Sequence, residues 1–260
     1  MKHQQVLDKL AARGHVRALD EELARWVHHQ MQAPPATRGE PVRDLITPVL
    51  NRWRCLFDCD DVRPMTKNVV WVALATLLHK YGLQDMAVTA QARRAVDDLN
   101  REVALSDAFA RYSEDIKQFL STAPAPLTRK PSVPRPLTFL RAGDVLSIEF
   151  SGRFHAAYVR EITGLNESPV IEFYEGTFSQ PPTLADLTGR KAAKPAARAR
   201  FHVTGLTYLP DPAHQVRTVV TAHADGPKGG EPVPGRGLYT MTELIALQRH
   251  IVDLFGPVAV

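Results

Sequence analysis

The apolar residues of the first 121 positions recur at the spacing of an α-helix. Leu23, Trp26 and Val27 fall at i, i+3 and i+4, which places them on one face of a helix. Asp20, which stands before two glutamates, is the predicted N-cap of that helix. The strongly apolar run from Thr66 to Tyr81 is typical of a buried helix. The pattern predicts about five or six helices that pack as a bundle.

The period changes after residue 139, where apolar and polar positions begin to alternate. The stretch AGDVLSIEFSGRFHAAYVREI at 142–162 opens on a Gly-Asp turn, breaks at Ser151-Gly152-Arg153 and continues with a second apolar run. This is the pattern of a β-hairpin. Further strands are expected at 169–174, 200–209 and 215–222. Short strands with close turns favour a small β-barrel or sandwich over a parallel sheet.

The last apolar stretch of the chain predicts a helix. Residues Thr240 to Glu243 have the sequence of a capping box, and a broad apolar side follows from Leu244 to Phe255. The sequence therefore predicts an α+β protein. Its expected parts are an N-terminal all-α helical bundle and a C-terminal small β-barrel that ends in an amphipathic helix.

A proline-rich segment separates the two patterns. TAPAPLTRKPSVPRP at 122–136 has five prolines, three basic residues and no acid in fifteen positions. Such a sequence favours an extended linker over a helix or a central strand. The predicted organisation is a helical domain at 1–121, a linker at 122–138 and a β-barrel domain with its terminal helix at 139–260.

The composition is that of an ordinary globular protein, with 44% hydrophobic and 23% charged residues. We recognise no N-terminal leader and no apolar run long enough to span a bilayer. Two cysteines, Cys55 and Cys59, are too few for a disulfide framework. We therefore expect a cytoplasmic protein with reduced thiols and no membrane association.

Motifs of known enzymes are missing from the sequence. Neither GxGxxG, nor GxSxG, nor GxxxxGK followed by Ser or Thr occurs. Cys55 and Cys59 offer two thiolates for zinc, but no nearby cysteine or histidine supplies the remaining two ligands. We expect no catalytic residue, no metal and no cofactor.

Basic residues are concentrated in one stretch of an otherwise balanced second domain. Residues 139–260 contain 12 basic and 12 acidic residues. The stretch TGRKAAKPAARAR at 188–200 has five basic residues and no acid: Arg190, Lys191, Lys194, Arg198 and Arg200. Such a cluster can attract the phosphates of a nucleic acid. No aromatic residue stands between the charges as a stacking platform, which favours a solvated loop instead.

The region from Phe139 to Leu187 resembles a known family. The segments LRAGDVLSIEFSGRFHAAYVREI and VIEFYEGTFSQPPTLADL are similar to the small SH3-like β-barrel of bacterial polymorphic-toxin immunity proteins. The shared features are the Gly-Asp turn, the strands around Ser151-Gly152-Arg153, a third strand that ends in Phe173-Tyr174, and Pro181-Pro182-Thr183 before a short helix. The resemblance covers residues 139–187 and implies a cytosolic protein that neutralises a toxin by binding it.

We therefore expect a non-enzymatic protein that binds another protein, and the resemblance implies that the partner is a toxin. Aromatic and charged side chains at strand ends and turns are the expected contacts, because such residues dominate interface energies. The candidates are Arg153, Tyr158, Glu172, Tyr174 and Glu175. Each has an alternative place in the core or on the solvated surface, and Tyr158 in particular can pack inward. Nucleic-acid binding through the linker and the 190–200 loop is the alternative function, and an enzyme without a known motif is a third.

Overall fold

A computed structural model gives the fold of the chain. It describes residues 1–32, 41–103, 105–133, 135, 137–164, 167–194, 199–229 and 239–257, and only the backbone of 41–45. The chain divides into two compact units. Unit 1 comprises Met1–Thr47 and Leu56–Pro134, and unit 2 comprises Pro48–Cys55 and Arg135–Val260. The domain limits expected from the sequence, at 1–121, 122–138 and 139–260, stay a prediction.

Helices provide the regular secondary structure of unit 1 within the described residues. They are α1 (His3–Leu7), α2 (Arg13–Gln32), α3 (Pro41–Phe57), α4 (Pro64–Lys80), α5 (Met86–Arg101), α6 (Asp107–Arg111) and α7 (Ser113–Ser121). The middle of α3, Pro48–Cys55, belongs to unit 2. Helix α4 contacts α1, α2, α5 and α7, and ten of its 17 residues are buried. Its strongly apolar sequence thus places it at the centre of the unit, although the expected bundle layout is not confirmed.

The prediction that a helix begins at Asp20 is wrong. Helix α2 begins at Arg13, and Leu19 already belongs to its buried face. The Asp20 carboxylate accepts hydrogen bonds from the Tyr81 hydroxyl at 2.7 Å and from Lys80 Nζ at 2.7 Å. Burial, and then the neighbouring Asp20, raises the pKa of Tyr81. Asp20 therefore joins α2 to the end of α4 and does not cap a helix.

Residues 122–133 form an extended segment with no helix or strand. The segment packs on unit 1 through contacts along its length, beginning with those of Thr122 to His79 and Gln84. The ring Nδ1 of His28 lies 2.8 Å from the Pro131 carbonyl oxygen. Gly82 has φ +73°, and a Cβ at this position would lie 3.0 Å from the Ala125 carbonyl oxygen. Glycine is therefore required where α4 ends beside the segment.

Unit 2 is built on a six-stranded mixed sheet within the described residues. Its strands are β1 (Val145–Phe150), β2 (Arg153–Thr163), β3 (Ser168–Phe173), β4 (Arg200–Thr204), β5 (Val216–Val220) and β6 (Thr240–Glu243). Their order is β5-β1-β2-β3-β4-β6, and only the β4–β6 pair is parallel. The chain is therefore an α+β protein. The sheet is not closed over this part of the chain, so the expected barrel and its SH3-like form are not confirmed.

The predicted hairpin at the start of unit 2 is confirmed. β1 and β2 are antiparallel neighbours, with Phe150 opposite Arg153. The two residues between them, Ser151 and Gly152, have φ values of +50° and +71°. Positive φ at both central positions is typical of the tight turns that match the twist of the two strands.

Both faces of the sheet are apolar. The main core lies on one face, where inward residues of the strands pack with α9 (Leu247–Phe255). The opposite face carries a smaller cluster, which is covered in part by α8 (Leu184–Leu187). The members of this smaller cluster are Val145, Ala156, Tyr158, Tyr174 and Leu187. Strand residues on both faces are therefore buried. For this reason, the alternation of apolar and polar residues along the sequence does not show which face of a strand meets solvent.

The prediction of a capping box at Thr240–Glu243 is wrong. These residues form β6, which runs parallel to β4 from the Phe201–Thr240 pair to the Thr204–Glu243 pair. Two of its four residues are threonine, whose β-branched side chain favours strands. The predicted amphipathic helix is present as α9, which begins at Leu247.

Residues 48–55 of α3 belong to unit 2 through polar contacts. The Arg52 guanidinium donates to both Asp211 carboxylate oxygens, at 2.7 and 3.0 Å. Gln248 of α9 donates to the Pro48 carbonyl oxygen at 2.7 Å and accepts a hydrogen bond from Asn51 at 3.3 Å. These contacts join positions more than 150 residues apart in sequence.

Candidate functional site

The Glu172 carboxylate is the centre of a buried ion cluster on β3. Its side chain is 0% exposed. Arg160 Nε donates to Oε2 at 2.6 Å, and Arg200 Nε donates to Oε1 at 2.9 Å. Arg200 lies directly opposite Glu172 on β4, so the sheet register brings this pair together. Two guanidinium groups thus compensate a carboxylate that has no access to solvent.

Two tyrosines extend this cluster to the segment 223–228, which we call the strap. The Tyr158 hydroxyl donates to the His223 carbonyl oxygen at 3.0 Å, and the Tyr174 hydroxyl donates to that of Asp225 at 3.5 Å. Arg160 Nη2 donates to the Pro227 carbonyl oxygen at 3.2 Å. Burial raises the pKa of Tyr174 to about 12, so its hydroxyl stays protonated and remains a donor. The strap therefore lies over the polar end of the smaller apolar cluster.

One glycine of the strap lies close to the end of the Arg160 side chain. A Cβ on Gly226 would lie 2.8 Å from Arg160 Nη1. The guanidinium also lies over the Tyr158 ring, with its central carbon 5.1 Å from the ring centroid. Arg160, which is half-buried, thus contacts the strap, the Tyr158 ring and the Glu172 carboxylate, and these contacts give it a structural role.

An exposed strip lies beside this cluster, where the chain leaves β3. We call it the rim and define it as Glu175, Phe178, Arg190 and Lys191, of which Phe178 and Arg190 are half-buried. Phe178 is held by paired backbone hydrogen bonds with Phe154 of β2, each 2.9 Å long. The Arg190 guanidinium lies 4.8 Å from the Phe178 ring centroid and donates to the Glu175 carbonyl oxygen at 3.3 Å. The Lys191 backbone N–H donates to Glu175 Oε1 at 3.3 Å.

The predicted partner contacts fall into two groups. Tyr158, Glu172 and Tyr174 are buried in the cluster and strap, so their side chains already have structural roles. Tyr158 packs inward, which is the alternative to a contact role that the sequence analysis gives for this residue. Arg153 and Glu175 are exposed; Glu175 lies on the rim, and Arg153 stands opposite Phe150 at the start of β2. A contact role for any of the five stays a prediction.

The basic residues of the 188–200 stretch do not share one surface. Arg200 is buried on Glu172, and Lys194 Nζ donates to the Asp253 carbonyl oxygen at 3.2 Å. Arg198 lies outside the described residues. Arg190 and Lys191 belong to the rim, beside Lys228, whose backbone is paired with that of Lys191.

Arg160, Phe178 and the Arg52–Asp211 pair were not identified from the sequence. Arg160 sits within a predicted strand, where a charge among apolar residues is a signal that an acid lies nearby. Arg52 and Asp211 carry no such local signal, because their contact spans 159 positions. Phe178 follows a predicted strand end, where an aromatic residue is a candidate for an exposed contact.

His155 of β2 is a buried histidine without a polar environment. It is 1% exposed, and neither ring nitrogen has a hydrogen-bond partner within the described residues. Its ring lies 4.6 Å from that of Phe255 of α9, measured between centroids. Burial lowers the pKa of His155 to about 4. The imidazole is thus neutral at pH 7.

The side chains give little support for a metal site. In the part of the chain that the structure describes, no group of three or more His, Cys, Asp and Glu residues is arranged to hold a metal ion. Cys55 and Cys59 are both free thiols, and burial raises the pKa of Cys55 to about 12. Among the described helices, none has the length and apolar character that crossing a membrane requires.

Comparisons of the chain with protein-family models, with curated proteins and with solved structures found no match.

Proposed function

We propose that this chain acts by binding another protein and that the rim of unit 2 is the contact surface. The observation that carries the proposal is the position of the Arg190 guanidinium over the Phe178 ring, next to the exposed side chain of Glu175. Arginine and aromatic side chains supply much of the binding energy at protein interfaces. A partner with both acidic and basic groups suits the mixed charge of the rim.

The rim is held in place by backbone hydrogen bonds. The Phe154–Phe178 pair fixes one side, and Glu175 N–H donates to the Lys191 carbonyl oxygen at 2.9 Å on the other. Side chains that are already positioned lose less conformational entropy on binding, which favours tight association.

We extend the proposal to a toxin as the partner and to an SH3-like fold. In the order β5-β1-β2-β3-β4, the first strand lies between the second and the fifth, and β2 has a register shift between Val159 and Glu161 that bends it. Both features support an SH3-like arrangement. Together with the resemblance of residues 139–187, they favour an immunity protein that neutralises a toxin in the cytoplasm by direct contact.

Nucleic-acid binding is the second candidate, and one observation favours it. Lys191 and Lys228 come from distant parts of the sequence and are paired side by side, next to Arg190. Three cations at one edge attract phosphate. Glu175 and Asp186 lie beside the same cations and weaken this attraction, so we place this function second.

The test is affinity capture from an extract of the native host with matched variants. We expect one protein to be recovered with the unaltered chain and with Arg249→Glu, which reverses an exposed charge on α9. Arg190→Glu, which removes the cation over Phe178, should lose that protein. The recovered protein should be toxic when expressed alone, and co-expression of the chain should restore growth.

Two outcomes would reject the proposal. Equal recovery of the partner protein with Arg190→Glu and with Arg249→Glu would show that the rim is not the contact surface. Recovery of RNA or DNA, with binding that falls steeply between 50 and 200 mM salt, would support the second candidate.

A further inference from the structure

The outer edge of β5 is a second feature suited to binding. β5 is the last strand on one side of the sheet, and within the described residues no strand pairs with its outer edge. The unpaired edge of a sheet presents backbone N–H and C=O groups that can take up a further strand. Exposed edges of this kind are used for recognition of extended peptides.

The hydrogen bonds of β5 show which groups point outwards. Glu149 N–H donates to the Gln215 carbonyl oxygen at 2.9 Å, so these residues form a bonded pair. Because bonded and non-bonded pairs alternate in an antiparallel ladder, Val216 and Thr218 direct their backbone groups to the outer edge. The Val216 N–H donates to Asp211 Oδ2 at 2.9 Å, which is consistent with an outward direction of this group. No strand of the described residues takes up the N–H and C=O of Thr218, which are thus oriented to pair with a further strand.

A groove of about 390 Å³ runs beside this edge, and we call it the β5 groove. It is lined by residues 209–211, 214 and 216–218. Asp211 is the only acid among these residues, and it is buried with both carboxylate oxygens bonded to Arg52. Arg217 is exposed on β5, and His214 is half-buried. The groove therefore presents positive charge that no acid of its own lining compensates.

We propose that the β5 groove binds an extended acidic segment of a partner protein, which adds to the sheet as a strand beside β5. The Thr218 N–H and C=O pair with the backbone of that segment. Arg217 receives its carboxylates, which lie at alternate positions because successive side chains of a strand point to opposite faces. This site is additional to the rim and does not depend on the rim proposal.

A second copy of this chain is a poorer occupant. Two β5 edges that pair about a two-fold axis bring two copies of Arg217 towards one another. The only acid of the groove is already bonded to Arg52 and cannot compensate them. An acidic segment brings the opposite charge to Arg217 and also supplies the backbone partners.

The test uses the full chain and two labelled peptides in fluorescence anisotropy. One peptide is Thr-Asp-Val-Asp-Val-Asp-Thr, and the other has lysine in place of each aspartate. We expect saturable binding of the acidic peptide and at least tenfold weaker binding of the basic one. Arg217→Glu should weaken binding of the acidic peptide about tenfold or more, whereas Arg249→Glu on α9 should not change it.

The backbone contribution is tested separately. Thr218→Pro removes the outward N–H and should abolish binding, while Thr218→Val keeps that N–H and should retain it. Hydrogen exchange at the Thr218 amide of the unaltered chain should slow when the acidic peptide is added. This measurement needs no variant and stands even if a variant does not fold.

Several outcomes would overturn the proposal. One is the absence of saturable binding of the acidic peptide, and another is equal affinity for the two peptides. An unchanged exchange rate of Thr218 in the presence of bound peptide would also reject it. Self-association that Thr218→Pro abolishes would assign the edge to a second copy. Since the assay needs no natural partner, its failure is distinguishable from failure of the rim proposal.

Discussion

The α5–α7 region of unit 1 and the sheet of unit 2 place their charges differently. In the helical region, Lys117 Nζ lies 2.6 Å from Asp97 and 2.7 Å from Glu114, and both carboxylates are more than half exposed. In unit 2, Glu172 on strand β3 and Asp211 in the loop before β5 have buried carboxylates, and each is bonded to arginine. The carboxylates of the helical region remain hydrated, whereas the buried carboxylates of unit 2 depend on their arginine partners for compensation of their charge.

This difference determines what each charge does for the protein. An exposed pair contributes little, because water solvates the two ions nearly as well when they are apart. A buried carboxylate has lost that solvation, and only its arginine and N–H donors replace it. The buried acids of unit 2 therefore connect distant parts of the chain, whereas the exposed acids mainly keep the surface soluble.

The largest expected effect is at Arg52. Arg52→Met leaves the Asp211 carboxylate buried without its guanidinium partner, and we expect a loss of about 3–5 kcal/mol in the free energy of unfolding. Urea unfolding followed by circular dichroism measures it, with Arg249→Met as the exposed control. A loss below about 1 kcal/mol would show that the backbone donors alone compensate Asp211.

The next comparison uses two glutamates near the end of one strand. Glu172→Gln keeps the side-chain shape but leaves Arg160 and Arg200 without their counter-charge, and we expect a loss of about 2–4 kcal/mol. Glu175→Gln, on the exposed rim, should change stability by less than about 0.5 kcal/mol. Urea unfolding measures both variants. Similar losses in their free energy of unfolding would contradict the conclusion that burial makes Glu172 more important for stability than Glu175.

A smaller effect is expected from His155 on acidification. Its pKa is lowered by burial to about 4 in the folded chain, against 6.5 for an ordinary histidine. The unfolded chain therefore takes up a proton first, so stability is full above pH 6.5 and falls as the pH drops towards 4. At pH 4.5 this amounts to roughly 2 kcal/mol for this residue. His155→Leu should lose less stability between pH 7 and 4.5 than the unaltered chain, and equal losses would refute the assignment.

The smallest effect is expected at the surface pair of unit 1. Asp97→Asn removes one of the two acids beside Lys117, and Glu114 remains as its partner. We expect a change of about 0.2–1 kcal/mol, which decreases further in 0.5 M salt. Thermal unfolding at two salt concentrations measures this. A loss as large as that of Glu172→Gln would remove the distinction between the two regions.

Features encoded by neighbouring residues could be predicted from the sequence. The β1–β2 hairpin is an example, because Ser151 and Gly152 specify the turn and the flanking residues specify the strands. Helix α4 is another, because its apolar residues are continuous. The capping box at Thr240–Glu243 failed because those residues pair with β4, which lies far away in sequence. Tertiary pairing here overrides a local signal of about 1 kcal/mol.

The candidate site was harder to predict than the fold. Glu172 was expected as a partner contact, with a place in the core or on the solvated surface as its alternatives, and the sequence did not decide between them. Both faces of this sheet are covered, however, and Arg160 and Arg200 supply the compensating charges. The Arg52–Asp211 pair left no pattern in the sequence at all. Contacts of this kind depend on the complete register of the sheet, which short-range patterns do not determine.

The central claim is that the rim binds a protein partner, and calorimetric titration of the captured partner tests it most directly. The account predicts that Arg190→Glu weakens the Kd at least tenfold, while Arg249→Glu changes it less than twofold. Circular dichroism of both variants should match that of the unaltered chain. Equal affinities of the two variants for the partner would contradict the account.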